Sequence, residues 1–242
     1  MERIGIIGSS GAMGAALTQV LAQSEHDMSG GIGRGGDPAH LADASDLLID
    51  FSAPPALDAN LHAAIGAGIP IVIGTTGLED RHHRAIDDAA RAIPILQTGN
   101  TSLGVTLLAA LVREAASRLG EDWDIEILEM HHRRKVDAPS GTALLLGEAA
   151  AQARGIDLGE RSERGRDGQT GARERGAIGF AALRGGTVAG EHSVILAGEE
   201  ERLTLSHSAE NRSIFARGAV KAGEWLIGRD AGRYRMEDVL GL

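Results

Sequence analysis

The sequence predicts an α/β protein, a doubly wound parallel sheet with helices on both faces, joined to a second α+β unit that contains an open mixed sheet. Two observations predict it. Short apolar runs at residues 4–7, 47–51, 69–73 and 93–96 alternate with stretches of helical length, and strands buried on both faces read as such runs. After residue 100 a helix, a strand and a helix give way to three strand-like runs with no helix between them.

In chain order, strand 4–7 enters a glycine-rich turn and then a helix over 13–21. A second strand is expected over 28–32, inside a stretch, 28–43, that is rich in Gly and carries no helical pattern, so this unit reads as abbreviated. Residues 56–67 and 79–92 are long enough to be the crossover helices between the strands that follow. Beyond them come a helix over 103–119, an alternating strand over 123–130 and a helix over 142–153. Residues 159–176 are nearly all Gly, Arg, Glu, Asp, Gln, Ser and Thr, a loop or lid composition with nothing to pack. Strands are expected over 177–183, 187–197 and 202–208, and a helix over 213–227 that stops at Gly228.

Composition narrows the function. The 242 residues include 34 acidic against 24 basic side chains, a net charge of −10, and no cysteine. Disulfides, thiolate metal sites and Cys nucleophiles are therefore excluded, and a reducing compartment is suited. An acidic chain repels phosphate backbones and anionic lipid, so neither nucleic acid nor membrane is an expected partner. No basic segment followed by an apolar one opens the chain, and nowhere do about 18 apolar residues run unbroken. A soluble cytoplasmic protein is expected.

The turn Gly8-Ser9-Ser10-Gly11-Ala12-Met13-Gly14 follows the first strand and opens the first helix. Small residues there let the backbone approach a pyrophosphate, whose charge meets unpaired N–H groups at the helix N-terminus. The spacing is offset from the usual dinucleotide fingerprint, because Ser10 stands at its second glycine. Gly74-Thr75-Thr76-Gly77 and Thr98-Gly99-Asn100-Thr101-Ser102 follow later strands on the same sheet edge, where open α/β sheets bind ligands. Read singly, each loop is better taken as an ordinary turn or N-cap; read together, on one edge, they favour a cofactor site.

The densest chemical signal is Glu129-Met130-His131-His132-Arg133-Arg134-Lys135-Val136-Asp137-Ala138-Pro139-Ser140-Gly141-Thr142. Five potential cations precede a helix that Ser140 or Thr142 can cap, and the first N–H groups of such a helix can hold a carboxylate. His131 and Lys135 can supply protons, the lysine with its pKa lowered if it is crowded by cations. A solvated basic loop is the competing reading, weakened by the concentration of cations in an acidic chain. Adjacent histidines without a third ligand at the right spacing predict no metal site. Ser140 has no nucleophile elbow around it.

The stretch 129–144 resembles the signature E-x-H-H-x-x-K-x-D-x-P-S-G-T-A of the 4-hydroxy-tetrahydrodipicolinate (dihydrodipicolinate) reductase family. Shorter matches run along almost the whole chain, among them Asp50-Phe51-Ser52, Arg184-Gly185-Gly186 and Gly190-Glu191-His192. The resemblance implies a Rossmann-like dinucleotide-binding domain over 1–102 plus 213–242, and an inserted α+β domain for substrate and oligomerisation over 103–212, with hinges near Ser102 and Arg212. It implies a homotetramer, NADPH or NADH as cofactor, and a small dicarboxylate substrate of lysine and diaminopimelate biosynthesis, reduced at ring carbon C4 with loss of water. By motif position His131 is the acid/base residue and Lys135 the proton donor, with His132, Ser140, Gly141 and Thr142 at the substrate. Cofactor positions are Gly8, Ser9, Ser10, Gly11, Ala12 and Met13, then Arg34, then Gly74, Thr75 and Thr76, then Thr98, Gly99, Asn100 and Thr101.

The chain departs from the family at the end of the second strand, where Gly33 replaces an expected acidic residue, and Arg34 stands about twenty residues after the glycine turn, the place from which the resemblance implies a contact with the adenosine ribose or its phosphate. Two other functions compete: a different inserted-domain dehydrogenase of the aspartate-dehydrogenase type, and a nucleotide sensor without turnover. The continuous signature from His131 to Thr142 argues against the first, and intact His131 and Lys135 against the second.

Overall fold

The structure, a computed structural model, describes residues 1–242. In chain order it holds β1 (Arg3–Ile7), α1 (Ala12–Leu21), β2 (Asp27–Ile32), α2 (Pro38–Asp43), β3 (Leu47–Asp50), a 3₁₀ turn (Pro54–Ala56), α3 (Leu57–Ala67), β4 (Ile71–Ile73), α4 (Asp80–Ala89) and β5 (Pro94–Gln97). Then come α5 (Leu103–Leu119), β6 (Asp124–His131), α6 (Gly141–Arg154), α7 (Leu158–Arg161), β7 (Ser162–Glu163), β8 (Ile178–Arg184), β9 (Gly190–Ala197) and β10 (Arg202–Ala209). The chain ends with α8 (Ser213–Leu226), β11 (Gly232–Tyr234) and α9 (Met236–Leu240). It divides into two compact units, Met1–Leu103 with Arg212–Leu242, and Gly104–Asn211.

The first unit is a six-stranded, all-parallel sheet in the order β11-β5-β4-β3-β1-β2. Alternate residues of the apolar strands feed two cores. Ile7, Leu48, Ile71, Ile73 and Ile95 pack with α2, α3 and α4 on one face, while Ile4, Ile6, Leu47, Ile49, Val72 and Leu96 pack with α1 and α8 on the other. This double burial explains why the strands are short apolar runs and not alternating ones. The order reverses beside β1, which lies between β3 and β2; such a switch point leaves a crevice outside the strand ends.

The second unit is a five-stranded mixed sheet in the order β10-β9-β6-β8-β7. Here β6 runs parallel to β8 and antiparallel to β9, as the unbroken succession of strand-like runs predicts. Strand β6 alternates half-buried and buried residues along its length, so Ile125, Ile127, Glu129 and His131 share the face that packs against α5 and α6. The opposite face leaves Ala181, Leu183 and Ser206 exposed.

Three segments differ from expectation. The pattern-poor stretch 28–43 holds a helix, α2, because Asp37 accepts a hydrogen bond from the Ala39 N–H at 2.9 Å and Pro38 takes the first helical position. Residues 159–176, expected to be unpacked loop, include part of α7 and the short strand β7 paired to β8. Their arginines are tied to β6: Arg166 and Arg173 both donate to Glu126 Oε1, at 2.9 and 2.8 Å, and Arg173 also to Asp124 at 2.7 Å. Such a network is invisible to a hydropathy pattern. The tail beyond Gly228, given no element in the sequence reading, adds β11 to the sheet edge and closes on α9. No helix is long and apolar enough to cross a membrane.

Candidate active site

At the carboxyl end of β1 the chain folds back on β2: the N–H groups of Gly8 and Ser9 both donate to Ile32 O, at 2.9 and 3.0 Å. Gly8 adopts φ +86°, and a Cβ there would meet Phe51 O at 2.4 Å. Gly14 lets α1 approach the turn, since a Cβ would lie 2.4 Å from Gly8 O. These are the tight turn and the close helix–strand packing that a pyrophosphate cradle at a helix N-terminus requires. The turn residues therefore fit a dinucleotide.

The turn opens on a cleft of about 620 Å³, lined by Gly8, Ser10 and Gly11 after β1, by Gly33 to Gly36 after β2 and by Phe51 to Ala53 and Asn60 beyond β3. Arg34 is the one charged side chain among its lining residues. The wall opposite is braced by Asp50, which is 0% exposed and accepts from Ser52 N at 2.8 Å and Asn60 Nδ2 at 3.1 Å. Burial pushes the Asp50 carboxyl above its ordinary range, against those hydrogen bonds. Neither Asp50 nor Asn60 was singled out as a site residue from the sequence. The signal was available in the polar residue that ends an otherwise apolar strand.

Other expected cofactor residues are distributed differently. Ser9 lines no part of this cleft; its Cβ lies 2.7 Å from where a Cβ on Gly31 would be. Ala12 is exposed and Met13 packs into the core beside α8. Gly74 lies against the Phe51 ring, Thr75 is 3% exposed and Thr76 is exposed. Thr98 Oγ1 donates to Asn100 O at 2.9 Å and accepts from the Asn100 N–H, a local turn that holds Gly99 outward. Thr101 is 2% exposed and donates to Phe215 O at 2.7 Å, so its side chain anchors α8.

In the second unit the signature residues gather where β6 ends and α6 begins. Ser140 is the N-cap of α6: its Oγ accepts from Ala143 N at 3.1 Å and pairs with His192 Nε2 at 2.9 Å. At 2% exposure its hydroxyl serves the helix and a histidine, while Gly141 and Thr142 form the open first turn. His131 Nδ1 lies 2.7 Å from Glu129 Oε2, and Glu129, 1% exposed, also takes a bidentate pair from Arg184 at 2.7 and 2.7 Å. Burial pushes the Glu129 carboxyl up, but the Arg184 and His131 hydrogen bonds outweigh it and hold it below its ordinary range. Burial first, then the neighbouring His131, lowers His192 to about 4.

The basic run itself is not a bare cluster of cations. Lys135 Nζ pairs with Asp137 at 2.8 Å, so an anion stands beside the lysine where the sequence suggested crowding by cations alone. The lysine in turn holds the Asp137 carboxyl below its ordinary range. His132 donates its N–H to Val188 O at 2.8 Å, and Lys135 its N–H to His132 O at 3.1 Å, closing the turn that presents both side chains. No group of three or more His, Asp or Glu side chains is arranged to hold a metal ion. Glu129, Arg184 and His192 were within matched motifs but unassigned from the sequence; only the folded sheet aligns Glu129 with His192.

A dinucleotide crevice in one unit and a histidine, lysine and helix N-terminus gathered in the other define an NAD(P)-dependent oxidoreductase acting on an anionic substrate. Residues 2–101 and 104–240 match the models of the dihydrodipicolinate reductase N-terminus and C-terminus respectively. The chain belongs to the dihydrodipicolinate reductase family. It is similar to the 4-hydroxy-tetrahydrodipicolinate reductases of Zymomonas mobilis subsp. mobilis, 55% identical, and Methylocella silvestris, 52% identical, each match covering 99% of this chain and 97% of the relative. A dipicolinate-bound dihydrodipicolinate reductase from Paenisporosarcina has the same fold, with a TM-score of 0.79 at 20% identity over 97% of both chains.

Proposed function

We propose that the chain reduces (2S,4S)-4-hydroxy-2,3,4,5-tetrahydrodipicolinate to (S)-2,3,4,5-tetrahydrodipicolinate in lysine and diaminopimelate biosynthesis, with consumption of NAD(P)H and a proton and release of water. The observation that carries this reading is that Glu129 bonds both His131 and the Ser140 N–H at the start of α6, with Lys135 in the turn that joins them. When bound, the nicotinamide supplies the hydride for ring carbon C4. The chain's own residues do the rest. Gly141 and Thr142, at the positive end of α6, hold the substrate carboxylates together with His132. Lys135 donates the proton that balances the hydride, and His131 exchanges protons with the substrate. On this reading residues 1–102 with 213–242 are the cofactor domain and 103–212 the substrate domain. The enzyme works in the cytoplasm as a homotetramer, joined through the sheet face that carries Leu128, Met130, Ala181 and Leu183.

Pyridine-2,6-dicarboxylate keeps two carboxylates on a planar ring, so it is expected to compete with the substrate, to weaken as salt rises, and to bind less well to Thr142→Val. The dipicolinate bound to the Paenisporosarcina dihydrodipicolinate reductase supports the choice of probe. Inhibition independent of salt and noncompetitive with substrate would put the anion site elsewhere.

Cofactor choice rests on Arg34. With Gly33 at the end of β2 in place of a carboxylate, the cleft lacks the acceptor that would favour the NADH ribose and repel the NADPH phosphate. NADPH is therefore expected to serve at least as well as NADH. A charge-assisted contact contributes roughly 1.5 to 3 kcal/mol, so Arg34→Ala is expected to raise the KM for NADPH about tenfold or more and leave NADH nearly unchanged. Equal losses for both cofactors would show that Arg34 stacks on the adenine or holds its loop.

A further inference from the structure

Glu129 is a buried carboxylate on which four hydrogen bonds converge. Oε2 accepts from His131 Nδ1 and Arg184 Nη1, both at 2.7 Å; Oε1 accepts from Arg184 Nη2 at 2.7 Å and from the Ser140 N–H at 3.1 Å. Its partners come from the end of β6, the end of β8 and the start of α6. Because an ionised carboxylate only accepts, Nδ1 of His131 must carry the hydrogen in that bond, and the neutral ring then keeps its lone pair on Nε2. Nε2 faces Gly190, where a Cβ would lie 3.0 Å away, so any larger residue would crowd that nitrogen.

We propose that Glu129 is a positioning residue for the reductase reaction: it fixes His131 with Nε2 as the proton-exchanging atom and clamps the first turn of α6 to the same histidine. The assignment deepens the functional reading above and rests on it for the role of His131. A carboxylate closing β6 to β8 would need only Arg184. What a strand-closing role leaves unexplained is the pair of further bonds, one to a proposed acid/base histidine and one to the backbone of the residue that caps α6. Other charged or titratable groups at this end of the sheet are Arg184 from β8, His192 from β9 with its ring centroid 5.1 Å from that of His131, and, acting on His192, His207 opposite it on β10 and Lys135 of the Lys135–Asp137 pair. Glu129 is the anion in direct contact with His131.

Glu129→Gln keeps the shape but offers one acceptor oxygen to three donor groups, so an amide N–H faces Nδ1 or Arg184. The test combines ¹⁵N NMR of the histidine rings in the full-length protein with steady-state kinetics on the ring substrate. In the wild type, neutral His131 is expected as the Nδ1–H tautomer. In Glu129→Gln the tautomer is expected to shift toward Nε2–H, with kcat lower by about 10²-fold and the KM for NADPH within twofold. Glu129→Asp, which retains the charge, should recover part of kcat. A wild-type His131 protonated on Nε2 and bare on Nδ1 would overturn the proposal, even if the variant does not fold. So would a Glu129→Gln enzyme with normal kcat, or one that loses activity with its tautomer unchanged. If the wild type turns over no ring substrate, the proposed function fails and the catalytic role of Glu129 with it, while the NMR result separately decides whether the carboxylate fixes the ring.

Discussion

Replacing His131 with Gln, or Lys135 with Ala, is expected to lower kcat by ~10²-fold or more while NADPH affinity barely changes. The two side chains belong to the second unit and neither lines the cleft beside the glycine turn, so under the proposed roles their loss is expected to impair proton transfer and leave cofactor contacts in place. Lys135 is half-buried and tethered to Asp137 at 2.8 Å, which keeps its ammonium in place without consuming all three of its donors. Single-turnover NADPH oxidation, with cofactor binding followed by nicotinamide fluorescence, separates the two effects. Near-normal turnover in either variant would remove that residue from the mechanism.

Acid is expected to destabilise the second unit through His192. Its folded pKa is depressed to about 4, chiefly by burial and then by His131, against an ordinary value of 6.5. Between those two values the unfolded chain binds a proton that the folded chain refuses, so stability rises with pH across that window and is lost as pH falls through it. The full difference is on the order of 3 kcal/mol. Glu129 acts in a lower window: its folded pKa lies below the ordinary 4.5, so the stability it contributes is present above that value and disappears as pH drops through the folded pKa. Denaturant unfolding at pH 7 and pH 4.5 should show a steeper loss for the wild type than for His192→Gln, which can still pair with Ser140 but has no proton to gain. Identical pH dependence in the two proteins would contradict the neutral, buried assignment of His192.

The parallel sheet was legible because its strands are buried on both faces, a condition that writes apolar runs such as Leu47 to Ile49 directly into the sequence. The alternation along β6 was equally plain, since one of its faces meets α5 and α6 and the other does not. What escaped were elements made by caps and charges. Asp37 and Pro38 start α2 without any apolar periodicity, and Glu126 gathers Arg166 and Arg173 from a segment whose composition reads as unstructured. At the proposed site, the signature from His131 to Thr142 was conspicuous in the sequence through its chemistry, and the fold places it between the end of β6 and the start of α6. Arg184 and His192 lie 55 and 63 residues beyond Glu129, and only strand pairing brings them together: Glu129 opposite His192, His131 opposite Arg184. Ser140 and Thr101 show the reverse case, polar residues in functional-looking motifs whose hydroxyls are spent on a helix cap and on α8.

The central claim is that this chain turns over the hydroxylated ring dicarboxylate with a reduced nicotinamide. The most direct measurement follows NADPH and NADH absorbance with the ring substrate generated in situ from aspartate semialdehyde and pyruvate. The expected result is oxidation that requires both precursors and the chain, is competitively inhibited by pyridine-2,6-dicarboxylate, and is lost in His131→Gln. Tight NADPH binding with no oxidation under those conditions would contradict it and make the protein a nucleotide sensor on a reductase fold.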